Sequence, residues 1–326
     1  MKRFLLFIFL SSSIIITQNV FAKKQKKHDK PNKINKKSVL SAITYNLNGG
    51  RFGDNLLSYC KTKWLAEKYN IPFFYKRFEY SHYLALHKKE KRYTRGTPVL
   101  FKAIRYLVGK QVNKLQLNSA LLYVKKWDYD VQVDWKNEKF IKKLRTLIRP
   151  SIHLNLVNLA KNNISIAVHV RRGGGYRVDT KKLMISQPLR FVADQFYVDQ
   201  IKRIATMFEG KKIYVHIFTD DQNPEVIMEN FKKAVNMEKI TFGCRRSKNN
   251  YYTHVLEDFF AMMKFDCLIR PNSHYSRFVE RLGDNKIIIS PVHVSEENGE
   301  KIIDTIRIRQ LTENGWKIKK IKNYNL

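Results

Sequence analysis

Cysteine is scarce in this chain. Cys60, Cys244 and Cys267 are the only three among 326 residues, with neither close pairing nor metal-ligand spacing. That argues against a Cys-based zinc site. Cys60 and Cys267 sit in apolar segments and read as small core residues. His-x-x-x-His and carboxylate groupings suited to zinc are missing too. So are a Walker A loop and a Gly-x-Ser-x-Gly elbow, which removes the P-loop and serine-hydrolase readings. Acidic residues are few: 28 Asp+Glu stand against 62 Lys+Arg, a net charge of +34. A nucleic-acid binder would gather such charge on one face with aromatics for stacking. Here lysine is spread over nearly every segment, in a chain also rich in Asn and Ile, so the charge reads as a compositional habit and no nucleic-acid partner is expected. An anionic substrate would still gain from the field. No apolar run after residue 22 is long enough to span a membrane.

What the chain does have is ample core material, 44% hydrophobic and 13% aromatic, enough for one large or two ordinary domains. Residues 1–22 stand apart. Lys2 and Arg3, an apolar run from Phe4 to Thr17, and Val20-Phe21-Ala22 make a secretory signal pattern, which predicts an exported or lumenal protein. The alternative is an uncleaved anchor that tethers the chain to a membrane. Residues 23–38 read as a disordered basic linker, and the Lys-rich part, 23–37, could make weak contact with an anionic surface.

From Val39 the pattern is strand, glycine-rich turn (Gly49, Gly50, Gly53), amphipathic helix capped by Asp54, then strand over Ile71–Tyr75. Such a turn ahead of a helix can hold an anion. The most regular region begins at Ile164. Strands at 164–170, 213–218, 240–242, 266–269 and 286–290 alternate with helices, predicting a doubly wound parallel sheet. Three polar loops follow strands there: His169 to Tyr176, Asp220 to Asn223, and Pro271 to Ser276. Ligands bind at that carboxyl edge. Arg171 and Arg172 offer forks for phosphate oxygens. Gly173 to Gly175 let a backbone come close. Ser273 and Ser276 offer hydroxyls at a helix start, and Asp220, Asp221 and Asp258 offer carboxylates for ribose or base. For the arginines the plain alternative is a structural salt bridge. For Asp220, Asp221 and the serines it is helix capping.

His169-Val170-Arg171-Arg172-Gly173 resembles the His-x-Arg-Arg-Gly-Asp motif of the α1,2- and α1,6-fucosyltransferases. Asn272-Ser273-His274-Tyr275-Ser276-Arg277-Phe278 is similar to their Asn-Ser-Ser-Phe-Ser-Trp-Trp segment. Gly49-Gly50-Arg51-Phe52-Gly53-Asp54-Asn55 is similar to their Gly-Gly-Leu-Gly-Asn-Gln, with one extra residue. Phe218-Thr219-Asp220-Asp221 and Asp258 also fit, in the family's order, and the α1,2 branch is closest. The resemblance implies a GT-B-like α/β fold of two Rossmann-like domains: an acceptor-side domain at 39–158, a nucleotide-sugar domain at 159–295, and a basic C-terminal segment at 296–326. It implies inverting, metal-free transfer of fucose from GDP-fucose to a glycan hydroxyl, with no cofactor. Carried over by position, Arg171 and Arg172 would hold the diphosphate. His169, Gly173, Asn272, Ser273 and Ser276 would shape the donor site with Gly50 and Gly53. Asp220, Asp221 and Asp258 would fix guanosine or its loops. Asp179 falls ten positions after the motif histidine, where the α1,6 branch has an acidic residue, and would be the base. Gly174 stands where the family has Asp. The alternative is therefore a degenerate relative that binds a GDP-sugar or glycan without turnover.

Overall fold

The computed structural model describes residues 41–47, 49–101, 103–107, 120–124, 131–173, 179–245, 250, 252–297 and 299–322. The expected signal segment, the basic linker, Gly174 and Gly175 lie outside the described residues.

Strand β1 (Ala42–Tyr45) is buried throughout. The turn after it passes through Gly49 and Gly50 at φ 64° and 86°, a region that favours glycine. Helix α1 (Phe52–Lys68) begins earlier than the sequence suggests. Arg51 is its N-cap, so Asp54 is no cap. It sits in the first turn, where a carboxylate suits the positive end of the helix. Residues 71–75 make single bridges, Ile43 with Phe73 and Tyr75 with Arg92, in place of the expected strand. Pro72 accepts from the Ile43 N–H but has none of its own to continue a ladder. After the short helix α2 (Leu86–Lys89), strands β2 (Ala103–Leu107) and β3 (Ala120–Val124) complete a parallel sheet of order β1-β3-β2. Helix α3 (Glu138–Leu147) is capped by Asn137, whose Oδ1 accepts the Phe140 N–H at 2.9 Å.

The larger sheet starts with β4 (Ile164–Val170). Helices α4 (Thr180–Ser186) and α5 (Asp194–Met207) lead to β5 (Ile213–Thr219). Helix α6 (Pro224–Val235) then leads to β6 (Ile240–Cys244). Helix α7 (Val255–Met262) and β7 (Cys267–Ile269) follow, then α8 (His274–Leu282) and β8 (Ile287–Glu297). Strands β9 (Glu300–Thr312) and β10 (Gly315–Lys322) close the chain. The order is β10-β9-β8-β7-β4-β5-β6. From β4 the chain steps out to β6, then returns to β7 on the other side of β4. That places a topological switch at β4, where ligands bind in such sheets.

Side chains along β4 alternate between two cores, as the period of a strand requires. Ile166, Val168 and Val170 pack with Phe196, Ile201 and Phe231 of α5 and α6. Ala167 belongs to the opposite core, with Phe259 of α7, Phe278 of α8 and the α1 residues Leu56 and Cys60. The architecture is α/β and doubly wound, and five neighbouring strands of the larger sheet run parallel.

The C-terminal end differs from expectation. The sequence predicts a last strand at 286–290 with a basic segment beyond. Instead β8 runs on to Glu297, and β9 and β10 add an antiparallel edge. Ile306 and Ile308 alternate into the core, while the lysines of β10 stay in water and disguise a strand as a charge run.

This edge is joined to α8 by charge. Glu280 accepts from Arg270, which is 2% exposed, and from Arg309 at 2.5 Å and Arg307 at 3.3 Å. Burial alone would raise the Glu280 pKa; Arg270, then Arg307 and Arg309, outweigh it and bring it down to about 2. Glu280→Ala would strand a buried guanidinium and should cost roughly 3–5 kcal/mol, read from urea denaturation at neutral pH. The Glu280 contribution is present above the ordinary carboxylate range. It fades as pH falls through about 2, so wild type and variant should converge in acid.

Candidate active site

Every strand that ends near β4 delivers a polar residue to one edge. Arg171 follows β4, Asp220 follows β5, Arg245 follows β6, and Arg270 to Ser273 follow β7. The β1 turn arrives at the same place. Arg171, Asp220, Asn272, Ser273 and the residues Gly50 to Asp54 line a cavity of about 600 Å³, within the range of small-molecule sites.

Of the residues the sequence proposes, Gly50, Gly53, His169, Arg171, Asp220, Asp258, Asn272 and Ser273 line this cavity. The Arg171 Nη1 lies 3.5 Å from Ser273 Oγ, and its guanidinium lies 5.1 Å from the Phe191 ring. Ser273 is the N-cap of α8, so main-chain N–H groups gather beside that arginine. Phosphate oxygens suit such a place. Gly173, just past the strand end, is buried at φ 81°, a region that favours glycine.

Burial and neighbouring charge fix the protonation of two groups. His169 is pushed down to about 3, by burial first and then by Arg171 and Arg270, so it stays neutral across the ordinary pH range. Its Nδ1 finds no partner among the described residues, and its ring lies 5.5 Å from that of Tyr275. Asp258 is pushed up to about 6 because burial outweighs the pull of Arg245, whose Nε lies 2.5 Å away. Arg245 also lines a second hollow of about 570 Å³, with Asn155, His216, Cys244 and His254.

Gly173 is not among the lining residues, and four more proposed residues sit elsewhere. The Arg172 side chain turns to Asp194 at the start of α5 and to the Val192 carbonyl at 3.4 Å. Only its backbone serves the site, donating to Asp220 Oδ1 at 2.6 Å. Asp221 accepts from the Asn223 N–H at 2.8 Å, a local turn. Ser276 Oγ is buried with no hydrogen-bond partner among the described residues, away from the cavity lining. Asp179 is exposed and caps α4, accepting the Lys181 N–H at 2.9 Å. As placed, it is a helix cap and no part of the cavity wall. Among the described residues, no group of three or more His, Cys, Asp or Glu could hold a metal ion.

No protein-family model matches the chain, and neither does any curated protein. Solved structures do. The GDP complex of a mutant FUT1 from Arabidopsis thaliana matches with a TM-score of 0.52 at 13% identity, over 86% of this chain and 74% of that one. The chain shares the fold of a fucosyltransferase. NodZ α1,6-fucosyltransferase, soaked with GDP-fucose, matches at 14% identity and a TM-score of 0.43, over 87% of this chain and 99% of that one. NodZ from Bradyrhizobium matches at 12% identity with the same TM-score and coverage.

Within this fucosyltransferase-like fold, several cavity residues escape the sequence reading. His274 Nδ1 lies 2.8 Å from Asp54 Oδ1, joining α8 to α1. Arg51 Nη1 reaches Asp220 at 3.4 Å. Tyr80 donates to the Tyr252 carbonyl at 2.8 Å. Arg245, which holds Asp258 from outside the cavity lining, had a usable signal, since it follows a strand as Arg171 does. Tyr80 had none.

Gly53 matters through its lack of a side chain. A Cβ there would stand 2.5 Å from the Tyr275 N and 2.8 Å from its Cα. Those are backbone atoms that cannot swing aside. Gly53→Ala should therefore destabilise the fold by roughly 1–3 kcal/mol, seen as a lower midpoint in thermal denaturation.

Proposed function

We propose that the chain is a glycosyltransferase that takes fucose from GDP-fucose and passes it to a glycan hydroxyl. The observation that carries this reading is the convergence at one carboxyl-edge cavity. Arg171, Ser273 and the α8 N-terminus offer an anion site there, and Asp220 and Asp258 stand close by. These are residues that the motif resemblance assigns to the donor, and the chain shares its fold with a fucosyltransferase solved with GDP.

The chemistry follows from the charges. Breaking the bond from sugar to phosphate puts negative charge on the departing diphosphate. Arg171 and the helix N–H groups are already oriented, so they stabilise that charge most as it develops. His169, held neutral, adds no charge of its own beside them. Attack by the acceptor from the face opposite the diphosphate would invert the sugar carbon, and the side chains around the cavity offer a route without metal. Arg172 acts at one remove in this reading. Its Asp194 pair and its bond to Asp220 hold the loop that presents Arg171. Residues 1–22 would carry the protein into a secretory or lumenal compartment, or tether it there.

One observation favours a second reading, a GDP-sugar-binding protein without turnover. Asp179, the base expected from the resemblance, is occupied as a helix cap.

Calorimetric titration with GDP tests the site. Wild type should bind, and Arg171→Ala should weaken binding by roughly tenfold to a hundredfold, the loss of one charge-assisted contact. Arg172→Ala should show itself first as a lower unfolding midpoint. Release of GDP from GDP-fucose then separates transferase from binder. Failure of the wild-type protein to bind GDP would sink both.

A further inference from the structure

We propose that Asp54 and His274 are the proton-accepting pair of this site, with the His274 imidazole taking the hydroxyl proton of the acceptor. The inference rests on the transferase reading above and supplies the base that Asp179 does not.

Position comes first. His274 is the first residue of α8, immediately after Ser273, and Ser273 Oγ lies 3.5 Å from Arg171 Nη1. His274 thus follows in sequence the residue that Arg171 touches, and all three line one cavity. Both His274 and Asp54 line the cavity, with side chains 30% and 20% exposed, so the pair is partly shielded yet open to a ligand. Orientation comes next. Asp54 Oδ1 lies 2.8 Å from His274 Nδ1. A carboxylate only accepts, so in the neutral imidazole Nδ1 carries the proton and Nε2 the lone pair. The same carboxylate then steadies the imidazolium after proton transfer.

The other candidates around the cavity are otherwise engaged. His169 is buried beside Arg171 and Arg270. Asp258 is held by Arg245. Asp220 accepts from the Arg172 N–H and lies against Arg51. Glu79 lies beside Tyr80 at the outer rim. Besides the pair and His169, the charged or titratable acidic and basic groups of the cavity lining are Arg51, Glu79, Arg171, Arg190, Asp220 and Asp258.

The step balances. The acceptor O–H gives its proton to His274 Nε2, and the oxygen forms a bond to the sugar anomeric carbon. The bond from that carbon to the β-phosphate oxygen breaks, and its electron pair leaves with GDP. The proton then passes from imidazolium to solvent.

The plain alternative is a clasp between α1 and α8, next to the Gly53–Tyr275 contact. His274→Asn separates the two, because its amide can still donate to Asp54 while supplying no base. The test uses the full chain and GDP-fucose with water as acceptor, following GDP release against pH, alongside GDP titration. His274→Asn should keep the unfolding midpoint and bind GDP within about threefold of wild type, while kcat falls about a hundredfold or more and the acid limb of the pH profile disappears. Asp54→Asn should lower kcat in the same direction. Added imidazole should restore part of the activity of His274→Ala. A His274→Asn protein that keeps its kcat and pH profile overturns the proposal. So does a His274→Ala protein that loses activity together with GDP affinity and gains nothing from imidazole. Wild type that binds GDP but releases none from GDP-fucose overturns it too, leaving a binding protein. Absence of GDP binding removes the transferase reading itself.

Discussion

The close approach of two helix starts, α1 and α8, governs how the rest of the molecule is arranged. At Gly53 there is no room for even one more carbon against the Tyr275 backbone. That contact brings Phe52 to 5.2 Å from Phe259 and 6.3 Å from Tyr275, edge to face, the geometry aromatic rings prefer. It also lets Asp54 reach His274. The seam joins an element that follows the small sheet to elements that follow the large one. The cavity opens beside it, so the packing that fixes the seam also fixes the spacing of the groups around the ligand. Two helix N-termini beside one cavity give it a positive lining that needs no lysine.

Around that seam, burial and charge compete, and the outcome differs from group to group. For Asp258 desolvation wins over Arg245, and its carboxyl is pushed up to about 6. For Glu280 three arginines win over desolvation, and its carboxyl is brought down to about 2. Both pairs hold loops or helices in place, yet only Asp258 sits at the cavity wall. A carboxylate next to an incoming diphosphate would oppose it if fully charged. One that shares its charge with Arg245 opposes it less. The net charge of +34 is a weaker influence than these local pairs, because salt screens charges that are not held at the site.

Much of the fold was legible because buried parallel strands write themselves as apolar runs. Ile164–Val170 is the clearest case, with matching limits in sequence and structure. The strands at the C-terminal end were hidden, since the edge strand β10 is exposed along nearly its whole length and carries lysines on both faces. The loop residues were legible as a group through their places after strands. Their pairings were not. Asp54 and His274 are 220 positions apart, and nothing local in either segment names the other. Asp179 reads two ways, because an acidic residue just ahead of a helix satisfies two patterns at once, and in the structure it accepts the Lys181 N–H.

The arginine pair illustrates what was readable and overlooked. Successive side chains of an extended strand point to opposite faces. Along β4, Ile166, Val168 and Val170 face α5 and α6, while Ala167 faces the core shared with α1, α7 and α8. Continued past the strand end, that alternation sends Arg171 with His169 toward Ser273 and Tyr275. It sends Arg172 toward Asp194, at the start of α5. Two adjacent arginines leaving a strand in extended conformation therefore do not form one fork around one ligand. One meets the cavity, and the other anchors the loop from behind. The shared task of the pair is geometric: Arg172 fixes the backbone whose position decides where the Arg171 charge sits, so a change at either should reach the same ligand by different routes.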